Sequence, residues 1–401
     1  MANVKQLKHL EHLEDEMLNY GVDGCKAAVS FLKELKKMLG HQDSTGFMQT
    51  KWDGAPSVIC GTDPASGLFF VGTKSVFAKT QPKLCFADQQ IDEWYDGDLA
   101  TKLKFSLKYF SLLGINGVIQ GDLMFTDSTR RIETIDGERL YTFRPNTITY
   151  GIPVDHPIGK EVGRSKIGVV FHTHYTGDEL ASMQARAGAP INTFNKVTDV
   201  AVIANDTPMN RVGFSTTELR KFDSHILKIE RMCQLSGDFL DNLVENFGTT
   251  GDSKFHISSY LKQFFNSEIK NARSITNVDD TINELVNFYD AKMQKELSKI
   301  KTVDNRTKKS ALVYKSENYV IDNVYKFKAM IALYKELQTV KQMVIDKLDH
   351  LEEFRTFVQT EKGYKVTTPE GYVLHKDGDM IKFVNRLEFA YNNFTLQKQW
   401  R

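Results

Sequence analysis

Apolar residues recur at three- and four-residue spacing from the start of the chain. Leu7, Leu10, Leu13 and Leu18 are followed by Ala28, Phe31, Leu32, Leu35 and Leu39, one face of a helix. Gly21 and Gly24 divide that run into two helices, and Asp43 to Gly46 reads as a loop. Residues 1–45 are thus an N-terminal helical segment. From 46 the period falls to two. Phe47 to Thr50, Ser57 to Cys60 and Leu68 to Val71 read as strands, the last two flanking the turn Asp63-Pro64-Ala65-Ser66-Gly67. A helix over about 98–113 precedes strands at Gly117 to Phe125, Ile167 to Phe171 and Val200 to Ile203. Thr176 with Glu179 has the spacing of a capping box that opens a short helix.

The texture changes at Ser215, which with Glu218 forms a second capping box. To about 362 the chain is rich in Leu, Lys and Glu at helical spacing and poor in Gly and Pro, which predicts four to six helices. Strand texture returns at Tyr364 to Val366, Gly371 to His375 and Asp379 to Val384, with Asp377-Gly378 as a turn between the last two. Leu387 to Leu396 closes as a helix. The pattern predicts an α+β protein. Its sheet-forming core comes in two parts, 46–214 and 363–401, around an all-helical insertion at 215–362.

Composition narrows the function classes. Hydrophobic residues make up 41% and charged residues 26% of 401, enough apolar surface for a core. Lys+Arg number 52 against 51 Asp+Glu, so bulk charge does not hold this chain to nucleic acid. No apolar run approaches the roughly 20 residues of a membrane-spanning helix, and the N-terminus has no apolar signal core. The expectation is a cytoplasmic protein with no membrane partner. Cys25, Cys60, Cys85 and Cys233 form no C-x-x-C pair, which argues against a zinc cluster or disulfide framework.

Candidate chemistry begins with Lys51-Trp52-Asp53-Gly54 at a strand end. A lysine amine is a nucleophile when deprotonated, and a glycine lets backbone approach a ligand. Gly121-Asp122-Leu123-Met124-Phe125 sets a carboxylate on a strand, Ile167 to Phe171 ends in an aromatic, Pro369-Glu370-Gly371-Tyr372-Val373 opens a strand with a carboxylate, and Ile381-Lys382-Phe383 sets a cation between apolar neighbours. A lysine turned inward there needs an anion.

In this order the segments resemble the motif series of the covalent nucleotidyltransferases: ATP-dependent DNA ligases, RNA ligases and mRNA capping enzymes. The resemblance covers about 45–205 and 363–390. It implies an ATP-grasp-like nucleotidyltransferase core of antiparallel sheets with helices. It also implies that Lys51 attacks the α-phosphate of ATP and carries AMP, with Asp53 orienting or deprotonating it and Gly54 beside the phosphate. Asp122, where the family usually has Glu, would contact ribose or metal. Phe171 would stack on the adenine, Glu370 would bind Mg²⁺ (or Mn²⁺), and Lys382 and Lys74 would contact phosphate. The last motif commonly carries a second lysine, which is missing after Lys382. Arg386 and Lys376 are the substitutes that the sequence offers.

The E-G-Y-V form and the short stretch after residue 390 favour RNA over DNA as the partner of an ATP-dependent polynucleotide ligase, nucleic acid with 5′-phosphate and 3′-hydroxyl ends. A non-nucleic-acid acceptor and a binding protein without catalysis are the alternatives. His9 to Asp15, the K-W-D-G-A-P run, Phe69 to Phe77, Q-G-D-L-M-F and Pro145-Asn146-Thr147-Ile148 also resemble an uncharacterised family of tailed-phage proteins, which implies expression in a host cytoplasm.

Two further patterns carry possible chemistry. His172-Thr173-His174 has the spacing of two metal ligands on one side of a strand, or of polar residues at a pocket mouth. Between 290 and 349, 13 Lys and Arg face eight Asp and Glu, interleaved with Tyr314, Tyr319, Tyr325, Phe327 and Tyr334. That mixture suits either a nucleic-acid surface or a helical bundle with solvated lysines.

Overall fold

The structure, a computed structural model, describes residues 11–245, 257–351, 354–360, 363–387 and 389. A two-residue strand β1 (Glu11–His12) leads into α1 (Glu16–Leu39). Gly21 takes φ +58 and kinks α1, and the freed Val22 amide donates to Asp241 Oδ1 at 2.8 Å. Gly24 stays helical, so the predicted break is made at Gly21 alone.

Then come β2 (Phe47–Lys51), β3 (Ser57–Thr62), β4 (Phe69–Gly72), α2 (Asp88–Trp94), α3 (Gly97–Phe110) and β5 (Val118–Thr126). The turn from β3 to β4 is closed by Asp63, whose carboxylate accepts from the Ala65 and Ser66 amides and the Ser66 hydroxyl. The chain continues through β6 (Arg131–Ile135), β7 (Glu138–Phe143), β8 (Thr149–Pro153), α4 (Pro157–Arg164), β9 (Ile167–Thr176), β10 (Gln184–Ala187) and β11 (Val200–Val202). The helix expected after Thr176 does not form. Thr176 pairs with Gln184 in the sheet, and only a 3-10 turn at Leu180–Ser182 follows.

Among the described residues five helices occupy the next range: α5 (Thr216–Glu245), α6 (Ile257–Lys270), α7 (Val278–Leu297), α8 (Val303–Asp322) and α9 (Val324–Leu348). The capping box at the head of α5 is made, with the Ser215 amide donating to Glu218 and the Glu218 amide to Ser215. Four strands end the described chain: β12 (Arg355–Thr360), β13 (Gly363–Val366), β14 (Gly371–Lys376) and β15 (Asp379–Phe383). β12 lies within the range that reads as helical; Phe357 and Val358 bury in a sheet instead. The helix expected over 387–396 lies almost wholly outside the described residues.

The α+β class holds, with three sheets. β5 sits between β3 and β9 in the largest, which continues to β4 on one side and to β10 and β11 beyond β9. A second sheet runs β13-β12-β8-β7-β6. The third runs β1-β15-β14-β2 and joins the two ends of the chain, with β14 antiparallel to both β2 and β15.

Apolar packing on this joining sheet is concentrated on one side. Met48, Tyr372, Leu374, Ile381 and Phe383 enter one hydrophobic core with α1 and the inserted helices. The other face carries Gln49, Lys51, Val373, His375, Met380 and Lys382, as the paired registers Gln49–Val373–Lys382 and Lys51–Gly371 require. A separate core packs α3 on the largest sheet through Leu103, Phe110, Val169 and Phe171.

Candidate active site

Lys51 is the last residue of β2 and stands opposite Gly371, the first of β14. Glu370 therefore arrives beside it. The Lys51 ammonium lies 2.5 Å from Glu370 Oε1. Gly371 makes the approach possible. Its φ is +140, and a Cβ there would lie 2.4 Å from the Phe383 carbonyl oxygen, a conformation and a fit that glycine alone accepts.

Burial opposes charge on Lys51, but Glu370 outweighs it, with Asp122 and Asp53 adding, and the ammonium is held above its ordinary value. Glu370 moves up to about 7, chiefly because it is buried, against the pull of Lys51. Lys382 shares this face, one register step along at Val373. Its amine is shifted down, first by burial and then by Lys51. Among the described residues its ammonium has no ion pair.

Lys51 borders a cleft of about 220 Å³. Lys51, Gln49, Val373, His375 and Met380 come to it from the joining sheet; Asp122, Val170, His172 and Thr173 come from the largest sheet. Asp122 lies 3.5 Å from His172 Nε2. Lys51 and Asp122 are thus brought together in one cleft, with Glu370 and Lys382 flanking Lys51.

Other expected positions go elsewhere. Asp53 is buried and saturated. It accepts from Asn146 Nδ2 at 2.8 Å and from the Thr147 and Ile148 amides at 2.9 and 3.2 Å, while its own amide donates to the Tyr150 hydroxyl. It clamps the lysine loop to the Pro145–Ile148 segment rather than offering a free oxygen to Lys51. Gly54 serves the same packing. A Cβ there would lie 2.6 Å from Asp122 Cβ, so the glycine admits β5 rather than a phosphate.

Phe171 is buried and meets Phe110 and Phe194 edge-on in the α3 core, facing away from the cleft. Its neighbours Val170 and His172 take the cleft side, so Phe171 is a core residue and not a base-stacker. Lys74 is exposed at the start of a 3-10 turn ending in Phe77, which packs at 4.5 Å on Tyr175.

Neither proposed substitute for the absent lysine reaches the cleft through its described contacts. Arg386 bonds Asp15, Glu14 and Tyr334 at 3.1–3.3 Å. Lys376 donates to the Ser30 hydroxyl at 2.6 Å.

His172 and His174 diverge. A bulge in the β5–β9 register falls at His172, and His174 bonds the Gly188 carbonyl. Among the described residues no group of three or more His, Cys, Asp or Glu is placed to hold a metal ion. On the inserted helices the aromatic set splits. Tyr314 and Tyr325 are exposed, whereas Phe327 and Tyr334 are fully buried. Lys309, Lys328 and Lys335 are committed to Glu296, Asp279 and the Thr276 carbonyl.

The residues that sequence reasoning passed over are Gln49, Asn205 and His375 on the cleft walls and Asn146 behind Asp53. Strand alternation counted back from Lys51 and forward from Gly371 points to Gln49 and His375. Nothing local marks Asn146 as the partner of Asp53.

No described helix is long and apolar enough to cross a membrane. Comparison with curated proteins and with solved structures finds no match to this chain. A family model does match, over residues 3–398, and the chain belongs to it: the Family of unknown function (DUF6267).

Proposed function

We propose that the protein is a covalent nucleotidyltransferase, an ATP-dependent polynucleotide ligase acting on RNA in preference to DNA, whose ATP-grasp-like core is formed by residues 46–214 and 363–401 on either side of the inserted helices. The observation that carries the reading is the Lys51–Glu370 pair, 2.5 Å apart at a cleft shared by both ends of the chain. In the first step the Lys51 amine attacks the α-phosphorus of ATP. A P–N bond forms, the P–O bond to pyrophosphate breaks, and the protein carries AMP.

Lys51 must lose a proton to attack. Glu370, in contact with it and titrating near 7 through burial, is suited to accept that proton. This takes over the role that the resemblance gives to Asp53. Lys382, desolvated and without a described ion pair, supplies charge to the phosphates.

Asp122 and Glu370 both act on Lys51, and they would hold Mg²⁺, which is typically bound through one or two carboxylates together with substrate phosphates and water. The ion supplies charge neutralisation at phosphorus when bound. In the second step the AMP passes to a 5′-phosphate end. The adjacent 3′-hydroxyl then displaces AMP to seal the strand.

The test is transfer of label from α-³²P-ATP to protein in Mg²⁺ or Mn²⁺ buffer, followed on a denaturing gel. Wild type is expected to retain label and Lys51→Met to retain none. Addition of 5′-phosphorylated RNA is expected to discharge it, with DNA slower. A folded wild type without label under either metal refutes the reading. One observation favours a second reading, a nucleotide-binding protein without transfer. Arg386 and Lys376 are committed to other partners, which leaves Lys382 without the second cation that the resemblance calls for. Nucleotide binding without label would select it.

A further inference from the structure

The cleft has another end. His375 lies four residues along β14 from Gly371, ~13 Å at the rise of a strand, between Phe47 on β2 and Met380 on β15. The ring is only 6% exposed, and it stacks on Phe47 with centroids 4.5 Å apart and planes 11° from parallel. It is therefore fixed in place. Neither Nδ1 nor Nε2 has a hydrogen-bond partner among the described residues.

Burial, then the nearby His172, push its pKa down to about 4, so the imidazole is neutral at pH 7. A neutral imidazole offers one donor and one acceptor. A buried polar atom without a partner costs free energy that a ligand recovers by pairing with it. Val373 and Met380 border the cleft on the joining sheet and Val170 on the facing sheet, with His172, Gln49 and Asn205 as polar groups in the same lining. Apolar side chains on both walls with a few fixed polar groups, one of them the unpartnered His375 imidazole, suit a flat heterocycle recognised at its edge.

We propose that this end of the cleft seats the heterocyclic base of a nucleoside triphosphate, with His375 making a hydrogen bond to the base edge while the phosphates lie toward Lys51. The placement rests on the transferase reading for its phosphate end. The base seat is a separate element that can stand or fall alone.

The test uses the full-length Lys51→Met protein, in which no covalent step occurs. Calorimetric titration with ATP and with inorganic tripolyphosphate, both in Mg²⁺ buffer, separates base from phosphate binding. ATP is expected to bind at least about tenfold more tightly than tripolyphosphate. His375→Leu in that background should bring ATP down to the tripolyphosphate affinity, and His375→Gln, which keeps a donor and an acceptor, should restore most of the difference. Tripolyphosphate affinity should not move. A folded His375→Leu protein with unchanged ATP affinity overturns the base seat, as does absence of ATP binding to folded Lys51→Met.

Should the leucine variant not fold, imidazole ¹⁵N shifts of His375 in the parent decide. A change with ATP but not tripolyphosphate supports the seat, and no change overturns it. If wild type takes no label yet ATP affinity depends on His375, transfer fails and the seat stands. If wild type takes label and His375→Leu labels with an unchanged KM for ATP, transfer stands and the seat fails.

Discussion

A carboxyl group 2.5 Å from an ammonium ordinarily ionises more readily than it does in water. Glu370 does the opposite, because burial outweighs the attraction of Lys51 and brings it to about 7. The sign of the stability effect follows. A carboxyl raised in the folded state contributes stability that is fully present below its ordinary value of 4.5 and is lost as pH rises through 7. Wild type should therefore lose ~3 kcal/mol relative to Glu370→Gln between pH 4.5 and 8, by urea denaturation across that range. Equal slopes for the two proteins would show that Glu370 is not shifted. Lys51, Glu370 and Lys382 are each named by short sequence patterns, and the fold brings them together because β2 and β14 pair. The saturation of Asp53 was not legible. Its three partners lie more than ninety residues away and come from a loop whose backbone amides leave no mark in sequence.

At the level of elements, β9 shows how a strand can be read correctly and its faces wrongly. Ile167 to Phe171 is continuously apolar, so alternation gives no sign of which side meets the cleft. The answer comes from α3, against which Ile167, Val169 and Phe171 pack. Phe171→Leu should then cost about 1 kcal/mol in thermal or urea unfolding, as a near-volume-conserving core change, and leave labelling per folded molecule unchanged. A large loss of nucleotide affinity without loss of stability would return Phe171 to the site. β12 was illegible for a related reason. Arg355 to Thr360 follows directly on helical texture, and only its pairing with β8 and β13 makes it a strand. Elements with local punctuation were legible: the Asp63 turn, the Ser215 capping box, and the hairpin at Asp377 and Gly378, both of which take positive φ.

Across the whole molecule, the inserted helices are tied to the N-terminal segment by charge as well as by apolar packing. Lys341 of α9 lies 2.6 Å from Glu14, with both side chains at 5% exposure or less, and Arg386 bridges Glu14 and Asp15. Removing Lys341 leaves the fully buried Glu14 with Arg386 as its one described ion pair, at 3.3 Å. Lys341→Met should destabilise the protein by about 3 kcal/mol in denaturant unfolding, and Glu14→Leu with Lys341→Met should recover much of that loss. An additive double variant would show that the pair is not coupled. The sheet that joins β1, β15, β14 and β2 has a consequence for synthesis. Its middle strands follow β2 by more than three hundred residues, so a chain emerging from the ribosome exposes Lys51 long before Glu370 and Lys382 exist. Lys51 gains its Glu370 partner only after the inserted helices have been made, and any product of premature termination before residue 370 carries the lysine without the Glu370 and Lys382 that flank it.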